Sequence, residues 1–141
     1  MRETPRQRLY NPPSVAAIIH NVIDPRPVEY HGQWMRSTLE ADFARHLDQL
    51  GASWTYEPAI FGAKGTGYLP DFRVTRDDGS SLYIEVKPTK AEVPLASARM
   101  EVIWKDESDA MLMVACAEGS EFYVAVIGQP WESFIELWKH G

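Results

Sequence analysis

A chain of 141 residues, 45% apolar and 24% charged, has the size and balance of a single domain with its own core. One cysteine, Cys116, excludes an intramolecular disulfide, and no run approaches the roughly 20 apolar residues of a membrane span. The net charge of −6 excludes the strong basic excess of a non-specific nucleic-acid binder, yet it is unevenly spread: residues 1–100 carry 12 Lys/Arg and 12 Asp/Glu, and residues 101–141 carry 2 against 8, which leaves a neutral body able to meet a polyanion.

Along the chain, residues 1–33 hold five of the ten prolines (Pro5, Pro12, Pro13, Pro25 and Pro27) and read as an irregular arm, with at most a short strand or helix near SVAAIIHNVI. The opening MRETPRQRLYNPPS lacks the apolar core of a signal peptide, so a cytoplasmic protein is expected. STLEADFARHLDQLG predicts the first helix. Ser37 suits its N-cap and Gly51 its C′ stop, while Leu39, Phe43, Leu47 and Leu50 recur at helical spacing. SWTYEPAIF predicts a strand ending near Pro58, and AKGTG a loop.

YLPDFRVTR and SSLYIEVKP predict a hairpin. Tyr68, Phe72 and Val74 would share one face of the first strand, opposite Asp71 and Arg73; Leu82, Ile84 and Val86 would share one face of the second, opposite Tyr83, Glu85 and Lys87. The turn DDG suits a three-residue loop with Gly79 in the left-handed position. That loop pairs Arg76 with Ser80 and sets Asp71 across from Glu85. A two-residue loop would mix apolar and polar faces, so the pattern fixes the register. VPLASARMEVIWKD then predicts a helix entered through Pro94. AMLMVAC and EFYVAVI predict two strands around AEGS, the first burying Cys116 as a core residue. PWESFIELWKHG predicts a closing amphipathic helix with Trp131, Phe134, Ile135 and Trp138 on one face. The whole is α/β: a central mixed β-sheet flanked by helices.

Opposed strand residues have Cβ atoms about 4.5–5.5 Å apart, where like charges destabilise. Asp71 and Glu85 therefore repel unless a cation intervenes. Mg²⁺ uses one or two carboxylates, keeps several waters and takes other ligands from phosphate; a backbone carbonyl at Val86 can join the set. Lys87 lies on the same strand face. Its ammonium can orient or help deprotonate a water, or stabilise charge growing at phosphorus. Taken alone, EVK is more often a solvated ion pair on an exposed strand, and an Asp after a proline is as often a turn residue. Together, with Pro70 marking an edge or bulge, they favour a site.

PD at 70–71 followed by EVK at 85–87 resembles the PD-(D/E)XK nuclease superfamily, and small phage and transposon endonucleases in particular, where a similar helix precedes YEP, YLPDF and an IEVK strand. Restriction-like enzymes and Holliday-junction resolvases share that core. The resemblance covers about eighty residues, 37–116, and implies a restriction-endonuclease-like order αβββαβ: a single domain over 1–141, with an arm at 1–33, a catalytic core at 34–116 and a strand plus acidic helix at 117–141. It implies a Mg²⁺-dependent endonuclease acting on DNA, with Mn²⁺ as substitute, in a bacterial or phage-infected cell. Cutting of junctions or branched DNA is within its scope, and so are exonuclease action and RNA cleavage. Asp71 and Glu85 would hold metal and Lys87 would activate water. Glu40 stands where many members carry a helix glutamate that reaches the metal, although Ser37 and Glu40 also form the S-x-x-E pattern of a capping box.

Further residues are candidates with common structural uses. Glu57 in YEP is a strand-end carboxylate. Arg36, Lys64, Arg73, Lys90 and Arg99 are candidate phosphate contacts, each also an ordinary solvated charge. His20, His31, His46 and His140 are too scattered for a zinc motif. No Gly-rich loop followed by Lys-Ser/Thr appears, so no nucleotide cofactor is expected. A homodimer is expected, because cutting both strands of a duplex needs two sites. The rival from another class is a non-catalytic module of this fold that binds DNA or a protein partner.

Overall fold

A computed structural model describes residues 27–62, 67–118, 121–127 and 131–133. Strands β1 (Val28–Tyr30) and β2 (Gln33–Met35) form a two-stranded antiparallel hairpin, followed by helix α1 (Thr38–Gln49) and strand β3 (Ser53–Tyr56). Strands β4 (Phe72–Thr75) and β5 (Ser81–Lys87) lead through a 3₁₀ turn (Lys90–Glu92) into helices α2 (Val93–Met100) and α3 (Ile103–Asp106). Strands β6 (Met111–Glu118), β7 (Glu121–Val126) and β8 (Trp131–Ser133) complete a six-stranded sheet in sequential order from β3 to β8. The pair β5 and β6 is parallel and every other neighbouring pair antiparallel, so the sheet is mixed and the fold is α/β.

Helix α1 begins and ends on local chemistry. Ser37 Oγ accepts the Glu40 N–H (3.3 Å), the N-cap bond. At the other end Gly51 has φ +72°, Gly51 N–H donates to the Asp48 carbonyl and Ala52 N–H to the Leu47 carbonyl, a Schellman stop in which only a residue without Cβ is unstrained. Leu39, Phe43 and Leu47 are buried against Phe72, Val74, Ile84, Val86 and Phe122. Each such large side chain contributes about 1.5–3 kcal/mol by leaving water, which is what seats α1 on the sheet.

The opposite face carries α2 and α3. Ala96, Met100 and Ile103 pack there with Phe61, Tyr83, Leu112 and Val114. Helical cover on both faces makes the central strands β5 and β6 buried on both sides, as parallel pairs joined by a helical crossover are. Cys116 lies buried on β6, in agreement with its reading as core.

The hairpin register agrees with the turn argument. Phe72 pairs with Ile84, Arg73 with Tyr83, Val74 with Leu82 and Thr75 with Ser81; Arg76 N–H reaches the Ser80 carbonyl at 2.9 Å and Gly79 has φ +85°.

Several expectations are corrected. Residues 28–33, read as the end of an irregular arm over 1–33, form with Trp34 and Met35 the β1/β2 hairpin, which buries Val28, Tyr30 and Met35. Tyr68 does not share a face with Phe72 and Val74: it packs on the α2 side, while they face α1, because regular strand geometry begins only after Asp71. The single helix expected over VPLASARMEVIWKD is two, broken at 101–102, with Pro94 in the first turn of α2. Trp131–Ser133, expected in a helix, pair as a strand with Tyr123, Val124 and Ala125; the open edge of β7 takes up main-chain groups that a local helical pattern would have paired within itself. Residues near SVAAIIHNVI, residues 63–66 of the AKGTG loop including Lys64, the GS pair of AEGS, and Phe134, Ile135 and Trp138 lie outside the described residues. Among the described residues no helix is long and apolar enough to cross a membrane.

Candidate active site

Asp71 sits where two ladders part. Its carbonyl accepts the Glu57 N–H (2.8 Å) from the β3 side. Toward β5 the pairing stops at Phe72 and Ile84, and the Asp71 side chain takes over, Oδ2 accepting the Val86 N–H at 2.7 Å. Pro70, which has no N–H to donate, stands directly before this divergence. The aspartate is thus aimed into the sheet end rather than out of a turn.

Glu85 is near the carboxyl end of β5, and Tyr68 donates its hydroxyl to Glu85 Oε1 at 2.8 Å. Glu40 comes from the first turn of α1. Its Oε2 accepts the Tyr56 hydroxyl (2.8 Å) and the Arg36 N–H (3.0 Å). The expected capping box is therefore half made: Ser37 caps the helix, but the Glu40 carboxylate bonds one residue earlier than the box requires and stays beside Asp71. The three carboxyl residues are nearly excluded from solvent, at 8% exposure for Glu40, 9% for Asp71 and 6% for Glu85. The weak solvated pair that EVK forms elsewhere is excluded here, since Glu85 is buried.

The electrostatics follow from that burial. Asp71 is held well above the ordinary carboxylate range, first by burial, then by its hydrogen bond with Glu85 and by the charges of Glu85 and Glu40; the Val86 N–H opposes the shift. Burial also raises Glu40, against hydrogen bonds from Tyr56 and with Asp71. Asp71 is therefore the shared member of a row, hydrogen-bonded to Glu85 on one side and Glu40 on the other. Among the described residues none of the three forms an ion pair; the salt bridge at this end joins Arg36 Nε to Glu57 Oε2 at 2.6 Å, with 70% and 25% of the two side chains exposed. Glu57 adopts φ +46°, a left-handed conformation uncommon for a side-chain-bearing residue. That bend directs its N–H to Asp71 and its carboxylate to Arg36.

The other candidates are placed as follows. Lys87 is half-buried at the end of β5, paired in register with Cys116, two residues beyond Glu85. Arg99, exposed on α2, stands near enough to Tyr68 to oppose the upward shift of its phenol. Arg73 is drawn away, interacting with the hydroxyl of Tyr83, which donates to Glu107 at 2.6 Å. Lys90 lies over the Tyr123 ring at 5.4 Å, beyond the end of β5. The sequence reading missed Tyr56 and Tyr68 as partners of Glu40 and Glu85; both stand inside the quoted stretches YEP and YLPDF, and a phenol next to a carboxylate strand was the available signal.

A cavity of about 450 Å³ lies elsewhere, at the turn end of the hairpin, lined by Leu50, Thr75, Arg76, Leu82, Met111 and Met113 among others. It contains none of the candidate residues. The buried carboxyls are the stronger site, because volume alone supplies no chemistry.

Among the described residues no three His, Cys, Asp or Glu side chains stand as a ready metal cage. The donor set here is instead a buried pair of carboxyls, Asp71 and Glu85, with Glu40 reached through Asp71. Hard oxygen donors in that number fit Mg²⁺ or Mn²⁺, which use few protein carboxylates and leave room for water and phosphate. Burial and the neighbouring carboxylates push Asp71 up, toward holding its proton. No family model matches the chain, and no curated protein matches it.

Proposed function

We propose that the chain is a metal-dependent endonuclease of the PD-(D/E)XK, restriction-endonuclease-like type, hydrolysing DNA phosphodiester bonds. The observation that carries the reading is the row of three buried carboxyls meeting at Asp71 without an ion-pair partner among the described residues. Buried unpaired acids cost several kcal/mol in an ordinary core, and arrangements of this kind cluster at functional sites. The order of α1, three strands, helix and strand supports the same reading.

Asp71 and Glu85 would hold the divalent ion, joined by the Val86 carbonyl, with Glu40 assisting directly or through water. Such an ion supplies Lewis-acid charge at phosphorus and a more acidic water. Lys87 carries a positive charge at the same strand end and orients the attacking water in line with the leaving oxygen. Arg99 flanks the site and would position the phosphate backbone, and Arg36, tied to Glu57, stands beside it as a further contact once that pair is released. Two cuts on a duplex or junction would come from a homodimer.

The net charge of −6 favours a second reading, a non-catalytic module of the same fold. One panel separates them: supercoiled plasmid, linear duplex, single strand, branched junction and RNA, each with Mg²⁺, Mn²⁺ or chelator. Cleavage of a DNA in metal and not in chelator supports the nuclease. Binding without cleavage of any substrate supports the module, and cleavage of RNA alone changes the substrate class.

A further inference from the structure

Glu85 is held by a residue that no part of the acid, acid and lysine set includes. Tyr68 donates to Glu85 Oε1 at 2.8 Å, across seventeen residues of chain. Resting on the metal-dependent reading above, we propose that Tyr68 is a positioning residue, whose hydroxyl locks the Glu85 carboxylate in the orientation that binds a divalent cation.

The mounting of Tyr68 is rigid for reasons visible in the backbone. Phe61 N–H donates to the Tyr68 carbonyl (2.8 Å) and Tyr68 N–H to the Phe61 carbonyl (2.6 Å), an isolated antiparallel bridge. Phe61 is itself buried, its ring edge-on to Tyr83 at 5.2 Å and 82°. Gly67 permits the bridge to close, since a Cβ at that position would collide with the Ile60 side chain. The Tyr68 ring packs against the α2-side core, so the phenol arrives at Glu85 from a fixed direction.

The bond has one sense: Tyr68 donates its hydroxyl, and one Glu85 oxygen is committed to accepting it. The carboxylate cannot then turn freely about its terminal torsion, a broad and soft one in glutamate. Tyr56 makes a similar bond to Glu40, but Glu40 also accepts the Arg36 main-chain N–H, so loss of the Tyr56 hydroxyl leaves Glu40 with a fixed donor, whereas Glu85 would keep only Asp71, itself a ligand on this reading. Partners that orient a metal ligand typically contribute 10–100-fold in affinity or activity. Tyr68 falls in that class and Tyr56 below it.

The test is calorimetric titration of the full chain with Mn²⁺, comparing the parent, Tyr68→Phe and Tyr56→Phe, together with DNA cleavage at rising Mn²⁺. Tyr68→Phe keeps the ring and removes only the hydroxyl. Its Mn²⁺ Kd is expected to rise about 10–100-fold, with a smaller rise in Tyr56→Phe, and saturating Mn²⁺ is expected to restore most of the lost cleavage rate, which it would not do for a merely structural defect. Parental affinity in Tyr68→Phe overturns the positioning role while leaving the metal reading intact. Absence of Mn²⁺ binding in the parent overturns both. If Tyr68→Phe does not fold, Gly67→Ala decides: it keeps the phenol but crowds its mounting, and weaker Mn²⁺ binding supports the proposal while unchanged binding contradicts it.

Discussion

The Asp71 carboxylate accepts the main-chain N–H of Val86 at 2.7 Å, so a side chain stands where a backbone carbonyl would have continued the ladder between β4 and β5. This substitution parts the two strands and brings Asp71 between Glu40 and Glu85. It also gives Asp71 two duties, holding the sheet end together and carrying a charge that its neighbours resist.

Asp71→Asn separates those duties. The amide oxygen can still accept the Val86 N–H, while the ionisable group is gone. Because Asp71 is raised above its ordinary value of about 3.9, its favourable contribution is present below that value and is lost as pH rises through the folded-state value, where the group must ionise beside Glu85 and Glu40. In chelator the parent should therefore lose stability as pH rises above about 4, and the variant should lose less. At neutral to mildly alkaline pH the variant should be the more stable by on the order of 1 kcal/mol, about 2–4 °C in Tm. Mg²⁺ should stabilise the parent only. Thermal melts across pH, with and without metal, check this; a variant less stable than the parent in chelator that still cleaves DNA would make Asp71 a turn residue.

Lys87→Ala should separate binding from chemistry. On the proposed reading Lys87 would contribute charge near the reacting phosphate and no ligand, so turnover should fall about 100-fold or more with the Mn²⁺ Kd unchanged. Calorimetry beside single-turnover cleavage makes the comparison. Metal affinity falling in step with activity would assign Lys87 to the metal site instead.

Glu57 holds Arg36 in an exposed ion pair, worth at most about 1 kcal/mol to stability. Glu57→Gln should therefore leave the fold nearly unchanged and release Arg36 to phosphate. The parent is expected to make about 3–5 phosphate contacts, and the variant to steepen the log–log salt dependence of DNA affinity by about 0.9. Fluorescence anisotropy from 50 to 200 mM salt, the range over which such contacts show, reads the slope. An unchanged slope would show that releasing Arg36 adds no phosphate contact.

Features set by neighbours in sequence were legible without coordinates. The caps of α1 depend on Ser37 and Gly51, and the β4/β5 register depends on DDG and on the alternation of Leu82, Ile84 and Val86. The pairing that places Asp71 near Glu85 came from the same two sources. What escaped reading depends on distant partners. The three residues of β8 are a strand because β7 offers an edge, and the hydrophobic spacing of PWESFIELWKHG cannot report that. The β1/β2 hairpin lies in a proline-rich stretch whose burial comes from α1. Tyr56 and Tyr68 meet their carboxylates across sixteen and seventeen residues, a distance at which local pattern is silent. The like-charge repulsion expected between Asp71 and Glu85 shows as the upward shift of Asp71, to which the Glu85 charge contributes beside their hydrogen bond.

The central claim is that Asp71 and Glu85 hold a divalent ion that cuts DNA, and nicking of supercoiled plasmid by the parent and by Glu85→Gln tests it most directly. Glutamine keeps the shape and still offers Oε1 to the Tyr68 hydroxyl, so only the charge and the ligand change. In Mg²⁺ the parent should nick the plasmid and Glu85→Gln should not, and chelator should abolish nicking by the parent. Equal nicking by parent and variant, or nicking that persists in chelator, would contradict the account.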